Sequence, residues 1–142
     1  MTTETRFWFY FTAAGLVGVL LFGAGFIAAP GLMNALFNTM FFGSAASPFS
    51  ADANAYNLFV YAVLGAIMIG WVISLGGLVW LAARGQTTAW WLFCASVLVW
   101  YAVDTTASLA LGYPANAALN TLMLVLLGVP MVALFQHMRQ QA

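Results

Sequence analysis

At 142 residues, 65% hydrophobic and 4% charged, the chain cannot cover itself with a water-facing surface. A soluble domain carries roughly a quarter charged residues, so this one must lie in lipid or against other protein. Its three Lys/Arg balance its three Asp/Glu, and no basic cluster occurs; that excludes the phosphate neutralisation on which nucleic-acid binding rests and polybasic recognition of anionic lipid.

The first long apolar run spans about 7–29 and is closed by Pro30. It exceeds the roughly 7–15 apolar residues of a signal-peptide core, and is expected to be retained as a first span. The second run covers about 56–83 and ends at Arg84; the third covers 89–111 and the fourth 118–137. Each supplies the ~20 residues that an α-helix needs to cross the hydrocarbon core. The expected fold is an all-α integral membrane protein, a four-transmembrane-helix bundle forming one domain over residues 1–142.

Orientation follows from the cations. Arg6 precedes the first span, Arg84 lies between the second and third, and Arg139 follows the fourth, so all three fall on one side of a four-span chain. The positive-inside rule then makes both termini and the "RGQTT" turn cytoplasmic. Compactness and brief loops suit a bacterial inner membrane.

The one long outer connection runs from Pro30 to Ala55. Within it Met33, Leu36, Phe37, Met40 and Phe41 recur at helical spacing, with Asn34 and Asn38 on another face. That pattern predicts a short amphipathic helix lying in the interface. The "GSAASPFSADANA" stretch reads as an irregular polar loop.

Lipid tails are as apolar as Leu, so membrane helices associate through small residues and interhelical hydrogen bonds. Ala62, Ala66, Gly70 and Ser74 form a small-residue stripe on the second span, and Gly15, Gly18 and Gly25 lie on roughly one face of the first, with Gly23 beside them. These stripes suit contacts within the bundle or with another chain. Trp8, Tyr10, Trp80, Trp90 and Trp91 fall near the inner boundary, Tyr56 and Tyr113 near the outer. Such a belt is expected, because these rings are apolar while their N–H or O–H seeks water.

The stretch "VWYAVDTTASLALGY" places Asp104 inside the third span, ~22 Å from Ala89 at 1.5 Å per residue. An ionised carboxylate at mid-membrane costs ~3 kcal/mol on insertion scales, and no intramembrane Lys or Arg accompanies it. It must be protonated, hydrated, hydrogen-bonded to neutral donors, or paired with a partner chain or ligand. Trp100, Tyr101 and Ser108 flank it on its own span, Asn116 and Asn120 come to a similar level on the fourth, and Asn57 and Tyr61 on the second. Interhelical bonding among these residues is the preferred reading. A candidate site for a quinone, lipid or cationic small molecule comes second, and proton-coupled transport third.

Catalysis is not expected. His137, the single histidine, lies near the opposite membrane face from Asp104, and Cys94 is the single cysteine. Zinc or di-iron sites require several His, Cys or carboxylate ligands, so no metal, haem or other cofactor is expected. The leading expectation is a non-enzymatic accessory or structural subunit, in contact with the lipid bilayer and with a protein partner or further copies of itself. The alternative is a binding or transport protein that uses the cluster around Asp104.

Overall fold

The computed structural model describes the backbone of residues 3–140 and the side chains of residues 3–136. The side chains of His137 and Arg139 lie outside the described residues. All described regular elements are helices: α1 (Thr3–Ala28), α2 (Pro30–Phe42), α3 (Ala51–Ala83), α4 (Thr87–Ala110) and α5 (Pro114–Gln140). Four of them, α1, α3, α4 and α5, are long and apolar enough to cross a membrane. The chain is therefore a multi-pass membrane protein in contact with a lipid bilayer, since only structures with internally satisfied backbones can span one.

Local chemistry sets the ends of these helices. Pro30 occupies the first turn of α2, where its missing N–H costs nothing. Gly43 closes α2 with φ 73° and donates its N–H to Thr39 O; a left-handed residue after a helix is readily supplied only by glycine. The expected polar loop is shorter than its composition suggested, because α3 begins at Ala51 rather than about Tyr56. Ser50 accounts for this: its Oγ accepts the Ala53 N–H at 3.3 Å and its carbonyl accepts from Asn54 N–H at 2.9 Å. Asp52 then sits in the first turn, where negative charge suits the helix dipole. With 33 residues, α3 is ~50 Å long at 1.5 Å per residue. That exceeds a hydrocarbon core of ~30 Å, so the helix tilts or carries its polar first turns beyond the core.

The helices group into two compact units. One unit joins α4 and α5 with α1 up to Val17 and α3 from Ile73 onward. Here α4 and α5 form an antiparallel hairpin turning through Leu111–Tyr113, with Gly112 at φ 82°. Phe93 and Val97 of α4 and Leu127, Met131 and Leu134 of α5 are buried. At the end of the hairpin away from its turn, Trp90 Nε1 donates to Met131 O at 2.7 Å, and its ring stacks on Phe135 with centroids 4.2 Å apart. Trp90 is only 8% exposed. It is thus a core residue rather than part of the interfacial belt, which Trp80 and Trp91 with their exposed rings can still supply. The Arg84 guanidinium lies 3.6 Å from the Trp80 ring centroid, holding a cation at the end of α3 by attraction to the ring face.

The second unit is Gly18–Val72. Its core is Phe26, Met33 and Phe37, with Phe22, Met40, Phe41, Tyr61 and Met68 packed around them. Phe26 stacks on Phe37 at 5.6 Å and lies 5.3 Å from Tyr61, centroid to centroid. Met33 sits against Gly25, and Phe37 against Phe22 and Phe26. The contacts therefore step back along α1 as they step forward along α2. α2 is folded onto α1 and α3.

Both faces of the expected amphipathic pattern need correcting in this light. Leu36, counted with the apolar stripe, is half exposed, whereas Asn34 and Asn38 are buried together with Met33 and Phe37. Asn34 is held inward by donating its Nδ2 to Asn54 Oδ1 at 2.9 Å, which links α2 to the first turns of α3.

Candidate functional site

The polar residues singled out around Asp104 separate into two groups. In the first unit the α4–α5 hairpin carries a run of polar pairs along its seam. Asn116 Nδ2 donates to Asp104 Oδ1 at 3.0 Å and to Ser108 Oγ at 2.8 Å. Ser108 Oγ donates within its own helix, to Asp104 O at 2.7 Å or to its Oδ1 at 3.1 Å. Further along the seam Asn120 Nδ2 reaches Thr105 Oγ1 at 3.4 Å, and the Tyr101 and Thr121 hydroxyls lie 3.3 Å apart. Ser108 and Asn120 are buried, while Asp104, Tyr101 and Asn116 are partly so.

Helical spacing produces this arrangement. Asp104 and Ser108 stand one turn apart on α4, as do Asn116 and Asn120 on α5, so each pair shares a face. The tight Leu111–Tyr113 turn then brings the two faces together at short sequence distance. Each bond across the seam is worth ~1 kcal/mol in a membrane. Together they fasten the hairpin at the end where the chain reverses, while Trp90 fastens the other. Trp100 lies on α4, half-buried.

Asn57 and Tyr61 belong to the second unit. Tyr61 lies in the aromatic core, 5.9 Å from Phe37 as well as beside Phe26. Asn57 is half-buried on α3.

That unit has a polar feature of its own. Asn34 and Asn38 are 7% and 2% exposed, and Asn34 Oδ1 and Asn38 Nδ2 are buried with no hydrogen-bond partner. A buried polar group left unpaired costs ~1–3 kcal/mol. Turning the Asn34 amide around, with Asn54 turned to match, does not cure this, because the Asn34 nitrogen would then be orphaned instead. The sequence did show the two asparagines one turn apart. It gave no sign that they would be sealed inside.

The small-residue positions also divide. Close approach in the second unit is made by Gly23 and Gly65: a Cβ on Gly65 would lie 2.5 Å from Gly23 O and 2.9 Å from Phe26 Cβ. Gly25 touches Met33, and in the first unit Gly15 faces Leu127. Ala66, Gly70 and Ser74 are exposed on α3, Ala62 is half-buried, and Gly18 is exposed. A Cβ added at Gly18 or Gly70 would meet nothing within 4 Å.

Among the described residues no group of three or more His, Cys, Asp or Glu is placed to hold a metal ion. Compared with known protein families, with characterised proteins and with solved structures, the chain shows no significant match to any.

Proposed function

We propose that the protein is a non-catalytic structural subunit, held in an assembly within the inner membrane as a homo-oligomer or as an accessory to a larger membrane complex. Both termini and the Arg84 turn lie on the cytoplasmic side, by the distribution of Arg6, Arg84 and Arg139. The observation that carries the reading is the bonding of Asp104. Its Oδ1 accepts from Asn116 across the hairpin at 3.0 Å, beside Ser108, which supports reading this acid as an internal fastener instead of a ligand anchor.

Surface composition supports the assembly half of the proposal. Between 17% and 28% of the most apolar stretch of each span is buried, leaving wide apolar faces for lipid and for other helices. On α3 the exposed face carries Ala66, Gly70 and Ser74 at four-residue spacing. Small residues so spaced let a second helix backbone approach closely, which is how helices associate where lipid gives no hydrophobic drive.

Native mass spectrometry of the full chain from gentle detergent, read for subunit masses, tests this. A defined oligomer or hetero-complex, dissociated by Gly70→Leu together with Ala66→Leu, is the expected result. A monomer in every mild detergent and in nanodiscs, or an assembly indifferent to the two leucines, would overturn it.

A further inference from the structure

The orphaned amides of Asn34 and Asn38 point to a binding site that the structural role does not use. One is an acceptor, Asn34 Oδ1, and the other a donor, Asn38 Nδ2. They stand one turn apart on α2, where side chains share a face. A single hydroxyl group matches both in kind, since it donates through its hydrogen and accepts through its oxygen. A carbonyl, an ether or an ammonium group answers only one of them. No Lys, Arg or His occurs between Gly18 and Val72, and Asp52 is the only acid there. The complementary group is thus a neutral one.

The surroundings specify what carries it. Phe37 lies on α2 between the two asparagines in sequence, and its ring packs with Phe22, Phe26, Phe41 and Tyr61. Ring faces set at these centroid distances of 5.4–6.2 Å favour another aromatic ring as neighbour. Both orphaned atoms are sealed from solvent, so a resident water beside either has no space. The group must enter as α2 moves. α2 is bounded by non-helical residues at both ends, Ala29 with φ −140° and ψ 55° and Gly43 with φ 73°. Its outer face presents exposed Leu32 and Leu36, so displacement opens the site toward an apolar phase.

We propose that the second unit binds a neutral amphiphile through an aryl hydroxyl, the oxygen held between Asn34 and Asn38 and the ring among Phe26, Phe37 and Tyr61. This site is independent of the assembly proposed above, and either can fail without the other.

The test uses the full chain in nanodiscs with two matched probes, para-dodecylphenol and its methyl ether para-dodecylanisole, read by native mass spectrometry and by quenching of ligand fluorescence. The phenol is expected to bind one per chain, at least tenfold more tightly than the ether, which has lost the donor hydrogen. Asn38→Leu removes the amide, leaves an apolar side chain of similar size, and is expected to fold at least as well as the parent while losing the preference for the phenol. Asn116→Leu, in the other unit, is expected to keep that preference. Equal binding of phenol and ether, no binding of either, or unchanged discrimination in folded Asn38→Leu would each overturn the proposal.

Discussion

Substituting Gly65 by alanine tests whether the α1–α3 contact is as close as the structure places it. The added Cβ would lie 2.5 Å from Gly23 O, 2.9 Å from Phe26 Cβ and 3.0 Å from Ile27 Cγ1. The first of these is backbone and the second is the first side-chain atom of a residue that is 1% exposed, so neither can swing aside. The helices must separate by several tenths of an ångström, and overpacking of this kind costs about 1–3 kcal/mol. We take the upper end, about 3 kcal/mol, because the obstacle is rigid. Alanine returns about 1 kcal/mol through its better helix propensity. The net loss is about 2 kcal/mol, roughly a 30-fold fall in the folded-to-unfolded ratio. Gly77→Ala, on the same helix but outside the stripe of Ala62, Ala66, Gly70 and Ser74, is the internal control: its Cβ meets nothing within 4 Å, so only the propensity gain remains. Reversible unfolding in mixed micelles of mild detergent and sodium dodecyl sulfate, followed by circular dichroism, reads both variants. Gly65→Ala equal to or more stable than Gly77→Ala would refute the packing argument.

Asp104→Asn should keep the hairpin intact, with stability lowered by less than about 1 kcal/mol, because an amide oxygen still accepts from Asn116 and Ser108; Asp104→Leu should lose more, and the same unfolding assay separates them. Trp90→Phe retains a ring against Phe135 but loses the Nε1 bond to the Met131 carbonyl, which should cost about 1 kcal/mol and lower the melting temperature in detergent. Asn54→Leu removes the partner of Asn34 and should loosen α2, seen as faster amide exchange at 33–38 than in the parent. In a Cys94→Ser background, Gln86→Cys should react with an impermeant maleimide in inverted vesicles and resist it in intact cells; the reverse pattern would refute the proposed orientation.

The four spans were legible because hydropathy reports directly on which backbone can leave water, and the chain has few charges to blur the signal. Pro30 and the glycines at 43 and 112 likewise marked where helices end, since their backbone constraints are local. Even the meeting of Asp104 with Asn116 was within reach, because a three-residue turn fixes the register of an antiparallel hairpin. What sequence did not disclose was which apolar face packs. Gly65, absent from every small-residue stripe the spacing suggested, makes the closest approach among the glycines. Ala66, Gly70 and Ser74, which formed such a stripe, face outward. Asn34 and Asn38 read as the polar side of an interfacial helix and are buried. Tyr61 read as a neighbour of Asp104, and its described ring contacts are with Phe26 and Phe37. In water, burial leaves its mark as a hydrophobic face opposite a polar one. In lipid both faces are apolar, the solvent does not choose between them, and only the three-dimensional fit of side chains decides which is inside.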